Sequence, residues 1–327
     1  MLNIFTAINE PDIDVIFNFC IMGKIPFILV EGMDDIPKYH SILSRSSNYS
    51  DVLYIEAVEN ITNYSLGCDE VIRCIDDLYN NHPQQHDKID TFIISIIDKD
   101  IRNIKNTIPA HKTHIILKEY SIESIYVSKE SVEIILNLLI KGPSNLISEA
   151  IINDMFDEVI DNLIDELYYS SLDALNFSLN SIHKKIRYKY EYGFIENNIT
   201  DFSNQLSTDN QYKISLDNLA INYGFDKDLA SLTLFVKGKW LYRSFIKNIV
   251  ENSKELQTKC GSQLIHTCSY CKLGKYDQCL YKTILTQGSD HIDNHLFKIL
   301  PENSSFTGFD YIVEDFDSRM NIINALS

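Results

Sequence analysis

The sequence predicts an α/β fold with a mostly parallel sheet, followed by a mainly helical C-terminal part, on three observations. Short apolar runs alternate with stretches of helical period between residues 27 and 140. The strongest of these runs end on a carboxylate, as sheet strands do where the chain turns back. Beyond Lys141-Gly142-Pro143-Ser144 the character changes, and apolar residues recur at every fourth position from Ile147 to Leu167.

Taken in order, residues 3–20 alternate apolar and acidic positions and read as a helical lead-in. Phe27–Val30 is a buried strand that delivers Glu31 and Gly32 to a sheet edge. Asp34 or Asp35 can cap the helix expected over 35–43. Val52–Ile55 is a second strand, and Gly67–Tyr79 a helix with Val71, Ile75 and Leu78 on one face. A polar loop, His82–Asp87, leads to a third strand, Phe92–Ile97, which ends at Asp98. Its unbroken Ile and Phe content predicts cover on both faces. Ile115–Leu117 is a fourth strand, and Val132–Ile140 is helical. The Gly-Pro break sets the expected division into residues 1–142 and 143–327. In the second part, Ile147, Ile151, Met155, Val159, Leu163 and Leu167, flanked by Ile152, Phe156, Ile160 and Ile164, give one long helix a broad apolar face. That face is core or an oligomer seam before it is a ligand box. Further helices are expected over Leu216–Asn222, Asp228–Phe235 and Trp240–Val250.

The 327 residues carry a net charge of −17, all of it in residues 1–180. Residues 1–180 hold 12 Lys and Arg against 29 Asp and Glu, whereas residues 181–327 hold 17 of each. Such acidity opposes general nucleic-acid binding, which rests on Lys and Arg. No apolar run approaches the roughly 20 residues that span a membrane. Glu10, Asp12 and Asp14 replace the basic flank of a signal peptide. With seven cysteines, these features lead to the expectation of a cytoplasmic protein with reduced thiols.

Glu31 ends one strand, and Asp98 and Asp100 end another. Ligands in open α/β sheets lie outside the carboxyl ends of the strands. Residues two apart on an extended chain share a side, so Asp98 and Asp100 can face one ion. Three hard oxygen donors suit Mg²⁺. Taken singly, each carboxylate is also what a solvated turn after a strand carries.

Ile28-Leu29-Val30-Glu31-Gly32-Met33-Asp34-Asp35 followed by Ser95-Ile96-Ile97-Asp98-Lys99-Asp100 resembles a Toprim domain, over about residues 24–140. Glu31, Gly32 and Asp35 match its Glu-Gly-x-x-Asp element, and Asp98 and Asp100 its Asp-x-Asp element. The resemblance implies that Glu31 is a general acid or base linked to Mg²⁺ or Mn²⁺, and that Asp98 and Asp100 are metal ligands. No glycine closely follows Asp100, which favours the nuclease-like branches of the family over primases and topoisomerases. Leu117 to Tyr126 resembles a further motif of stand-alone Toprim proteins paired with ATPases, which makes Glu123 a matching metal ligand; as residues alone, it is equally a glutamate opening a helix. Val236-Lys237-Gly238-Lys239-Trp240-Leu241 is similar to a Gly-Lys element of the same proteins, which implies that Lys239 or Lys237 neutralises a scissile phosphate. Overall the chain is most similar to the AriB-type Toprim nucleases of PARIS anti-phage systems. That similarity implies an ABC-type ATPase partner, release on infection, cleavage of RNA (tRNA) and a homodimer when active. The competing expectation is a catalytically silent module that docks on an ATPase.

Two other stretches carry chemistry. Cys260, Cys268, Cys271 and Cys279, spaced C-x7-C-x2-C-x7-C with His266 nearby, can bind a structural Zn²⁺ in a small lobe over 256–284. The spacing is not that of a standard finger, so buried unliganded thiols and a redox or iron–sulfur role stay open. Cys20, Cys68 and Cys74 read as ordinary buried residues. The run from His183 through Lys184, Lys185, Arg187, Tyr188, Lys189 and Tyr190 interleaves cations and aromatics, as RNA-binding surfaces do and as exposed helix ends also do. Arg243 and Lys247 can extend that surface.

Overall fold

The computed structural model describes residues 12–49, 54–182, 184–284 and 289–325. Helix α1 (Ile13–Gly23) precedes strand β1 (Phe27–Val30), α2 (Ile36–Leu43), β2 (Tyr54–Ala57), α3 (Cys68–Asn81) and α4 (His86–Phe92). Strand β3 (Ile93–Ile97), α5 (Arg102–Lys105), β4 (His114–Ile116), α6 (Ile122–Ile125) and α7 (Lys129–Leu139) complete the alternating part. The helices α8 (Glu149–Asn180), α9 (Tyr192–Thr208), α10 (Asn210–Tyr223), α11 (Leu229–Phe235) and α12 (Gly238–Ser253) follow. Short α13 (Leu256–Gly261) and α14 (Ser269–Lys272) lead to α15 (Ser289–Glu302) and α16 (Asp310–Ala325).

Two compact units divide these elements. One comprises Met1–Lys99, Thr107–Lys118 and Pro301–Ser327; the other comprises Asp100–Asn106 and Glu119–Leu300. The expected division at residue 142 falls inside the second unit, where α7 and α8 pack on each other. Lys141-Gly142-Pro143-Ser144 is therefore a turn within one packed body, since a break in helical period ends a helix without ending its core.

In the first unit the sheet is parallel throughout, in the order β2-β1-β3-β4. Every residue of β1 and β3 is buried, so both sheet faces are covered there, as the unbroken apolar runs predict. Helix α1 packs on β1, α2 on β2, α3 on β1 and β3, α4 on β3, and α16 on α2 and α4. Phe92 closes α4 rather than opening β3, and helix α4 occupies part of the expected loop. The expected strand Val52–Ile55 is found as Tyr54–Ala57, with residues 52 and 53 outside the described set. The lead-in helix is α1, capped by the Asp12 carboxylate, which accepts the Asp14 N–H at 2.8 Å; residues 3–11 of that expectation lie outside the described set.

The second unit is built around α8, whose N-terminal Ser148 side chain accepts the Ile151 N–H. Ile151, Met155, Val159, Leu163 and Leu167 are buried, and the neighbouring row Ile152, Phe156, Ile160 and Ile164 is half-buried. Helices α7, α9, α10, α11 and α12 pack on α8, so its apolar face is core. Leu163, the fourth residue of the row from Ile151 to Leu167, has no exposed surface. Leu163→Ala is expected to cost about 2–5 kcal/mol of unfolding free energy, read by chemical denaturation. Among the described residues, no helix is long and apolar enough to cross a membrane.

Candidate metal centres

Parallel strands end at a common edge, and β1 and β3 are neighbours in register, Phe27 beside Ile93 and Leu29 beside Ser95. The residues that follow them, Glu31 and Asp98, therefore arrive side by side. The Asp98 N–H donates to Glu31 Oε1 at 2.8 Å, and the Glu31 carbonyl accepts the Gly67 N–H at 3.2 Å. After Gly32, a single 3-10 turn (Met33–Asp35) leads into α2. Asp35 stands at the expected capping position of α2, but its side chain makes no cap bond. It pairs instead with Lys38 Nζ at 3.1 Å, and Lys38 is itself buried. Tyr39, buried one residue later, has its phenol pushed well above the usual range. Burial is the main cause, and the charges of Asp98, Asp35 and Glu31 add to it. One buried phenol thus feels three carboxylates of this edge.

Asp100 and Glu123 belong to the second unit. Strand β3 ends at Ile97 and Asp100 is left-handed (φ 48°), so strand alternation does not carry through to Asp100. Aspartate is one of the few residues that tolerates this conformation. Its N–H donates to the Tyr120 carbonyl at 2.8 Å and its carboxylate pairs with Arg102. Glu123 is buried in the single turn α6, where it accepts the Ser121 hydroxyl at 2.7 Å.

The two later motifs meet. Gly238 opens α12 against this turn, and a Cβ placed there would lie 1.8 Å from Ser121 Oγ and 3.2 Å from Ser124 Oγ. The glycine of the Gly-Lys element is thus a close approach of α12 to the Glu123 turn. Gly238→Ala is expected to destabilise by about 1–3 kcal/mol, with Ser121→Ala in the same chain recovering part of the loss, by chemical denaturation. Lys239 is exposed, while Lys237 is engaged by Glu191 at 3.6 Å and by the Tyr190 carbonyl at 3.3 Å.

The four spaced cysteines converge. Cys260 lies in α13, Cys268 caps α14, Cys271 lies within it, and Cys279 follows a 3-10 turn (Tyr276–Gln278). All four are buried, none is in a disulfide, and their sulfurs lie within 4.8 Å of one another. Cys268 and Cys279 Sγ are 3.9 Å apart. Tetrahedral Zn²⁺ with bonds of about 2.3 Å separates its sulfurs by about 3.8 Å. The donors therefore fit one such ion. Burial works against the Cys268 thiolate, yet hydrogen bonds from the Leu280 and Cys271 backbone and the neighbouring thiols outweigh it and bring that thiol down to about 6. Burial pushes Cys279 up to about 11 and raises Cys271 further. Of Cys268, Cys271 and Cys279, Cys268 is thus the thiol that most readily carries negative charge. Among the described residues it is the one group of three or more metal-ligand side chains that converges. His266 is exposed. Cys20, Cys68 and Cys74 are buried singly, and burial pushes Cys20 and Cys74 up to about 12.

The basic run is held from within. The fully buried carboxylate of Asp173 accepts the N–H groups of Lys184, Lys185 and Ile186 at 2.7–2.9 Å, and the Tyr212 hydroxyl as well. Lys184 pairs with Asp209 at 2.7 Å and Lys185 with Asp201 at 3.4 Å. Arg187 lies over Phe177 and Lys189 over Tyr190. Arg243 and Lys247 are likewise met by Asp293 and Glu196. His183 lies outside the described residues.

No family model matches this chain, and no curated protein matches it. The site therefore rests on its own geometry. Sequence reasoning missed Lys38 and Tyr39, whose only signal is their place one turn after Asp34 and Asp35 on an amphipathic helix. It also missed Ser121, the partner of both Glu123 and Gly238.

Proposed function

We propose that the chain is a divalent-metal-dependent nuclease of the Toprim type, with Glu31 and Asp98 at the centre of its metal site. The observation that carries this reading is their placement at the carboxyl ends of adjacent central strands, joined by the Asp98 N–H to Glu31 bond. Carboxylate oxygens at such an edge suit Mg²⁺ or Mn²⁺. When bound, the ion polarises a phosphate or activates water. The chain's own part is to fix Glu31 through the Asp98 backbone and to balance Asp35 with the buried Lys38. Metal ligation by Asp100 and Glu123 and phosphate contact by Lys239 enter on the resemblance alone. So do tRNA as substrate, the ABC-type ATPase partner, the active homodimer and the role in anti-phage defence.

The second reading, a silent module that docks on an ATPase, is favoured by one observation: among the described residues only the cysteines converge as three or more metal donors. Purified chain incubated with tRNA or single-stranded RNA separates the two. Cleavage with Mg²⁺ or Mn²⁺ and none without metal is the expected result. Absence of cleavage under every metal condition, by a chain free of partner proteins, favours the silent module.

A further inference from the structure

We propose that the cysteine lobe is a docking surface for single-stranded RNA, with Lys272, Lys275 and Tyr276 at its tip. The choice of RNA rests on the nuclease reading; the surface itself does not.

In a chain of net charge −17, residues 254–284 carry five lysines against two carboxylates. Lys259 is engaged by Glu158 and Glu255. Lys254, Lys272, Lys275 and Lys282 are exposed, and none has a carboxylate partner among the described residues. The contrast with the basic run is direct, because Lys184 and Lys185 are both paired with aspartates. The cysteine sulfurs are buried inside the lobe, while Lys254, Lys272, Lys275 and Lys282 stand at its surface.

The tip is also preformed. From Cys268 to Lys275 the backbone closes on itself: Lys272 N–H to Cys268 O, Gly274 N–H to Cys271 O and Lys275 N–H to Tyr270 O, at 2.9–3.0 Å. Gly274 supplies the left-handed residue of the turn (φ 72°). Lys272 and Lys275 thus bracket a fixed turn, and Cys268 and Cys271 in the same stretch are two of the residues that would hold a metal. Tyr276 follows with its ring against Gly261, where a Cβ would meet Cδ1 at 3.3 Å, while the residue keeps 54% of its surface exposed. Its backbone is held by Gln257 Nε2 at 3.1 Å. A seated aromatic ring with an open side, flanked by unpaired cations, is what a stacked base and its phosphates require. Ordering the surface before binding lowers the entropy cost of association.

The test uses full-length chain carrying Glu31→Gln, without added Mg²⁺, and an end-labelled unstructured RNA of about 20 nucleotides, read by fluorescence anisotropy. Binding is expected to weaken with salt at a logarithmic slope of about −2 to −3, for four phosphate contacts. Lys272→Glu with Lys275→Glu is expected to weaken binding at least about tenfold and to flatten that slope by about 1.4, with bound zinc unchanged. Tyr276→Ala is expected to lose about tenfold with little change in slope. Lys184→Glu with Lys185→Glu is expected to change affinity less than twofold. Unchanged affinity in the lobe variant overturns the proposal. A larger loss from the Lys184 and Lys185 pair overturns it in favour of the basic run. Failure of the parent chain to bind RNA at about 50 mM salt overturns it in favour of an acidic protein partner for these lysines. Cleavage is not read here, so this surface and the nuclease reading fail separately.

Discussion

Glu31→Gln is expected to abolish metal-dependent cleavage while leaving the fold intact. The two side chains have nearly the same shape, and an amide oxygen can still accept the Asp98 N–H that Glu31 Oε1 accepts at 2.8 Å. What the change removes is charge at the edge shared by β1 and β3. A general acid or base contributes about 10²–10⁴ in rate, and an ion ligand adds to that. A loss of at least about a thousandfold is therefore expected, or roughly 4 kcal/mol of barrier at 1.36 kcal/mol per tenfold. Circular dichroism and the thermal midpoint should match the parent. The Tyr39 phenol gives an independent readout. With one of the surrounding negative charges gone, it should ionise at lower pH than in the parent, though still above an ordinary tyrosine because burial is the main cause of its shift. Cleavage at the parental rate by this variant would sink the nuclease proposal.

The second large effect belongs to the cysteines. Purified chain is expected to carry one zinc per molecule, and Cys271→Ser to lower zinc affinity by more than about a hundredfold. Structural zinc supplies folding free energy on the order of 10 kcal/mol in small domains that lack a core of their own. Helices α13 and α14 have six and four residues, too short to be stable alone. Loss of metal should therefore unfold this lobe locally, exposing 256–284 to protease and hydrogen exchange while α8 and its neighbours stay protected. Elemental analysis and limited proteolysis check both halves of this expectation. A metal-free chain whose lobe resists protease would show the four thiols to be merely buried, and a bound iron–sulfur chromophore would assign the cluster to the redox alternative.

What could be read in the sequence follows from how much each element depends on its own residues. Strands β1 and β3 are legible because a strand covered on both faces must be apolar throughout. The five-residue row from Ile151 to Leu167 is legible because a long helix on one core keeps a constant period. Phe92 was assigned to the wrong element because α4 runs into β3 with no breaker between them, leaving an apolar run that two structures share. Helix α9 escaped notice because its Asn, Ser and Thr content gives it little helix preference; packing on α8 and α12 supplies what its sequence lacks. The acidic edge was legible up to Asp98. Beyond it, the left-handed turn at Asp100 removed the alternation on which the reading relied. The lysines of the basic run illustrate a different limit. Asp201 and Asp209, which pair with them, lie 16 and 25 residues further on, and no local pattern announces that a cation is already matched.

The unit that holds Glu31 takes its last helix, α16, from beyond Pro301, after the whole of the other unit in chain order. Synthesis proceeds from the N-terminus, so β1 and β3 leave the ribosome long before the helix that packs on α2 and α4. Contacts so distant in sequence form late. Until α16 has been made, the sides of α2 and α4 on which it packs lack that cover. A chain released before residue 310 would therefore leave α2 and α4, which lie in the same unit as Glu31 and Asp98, without their last packing partner.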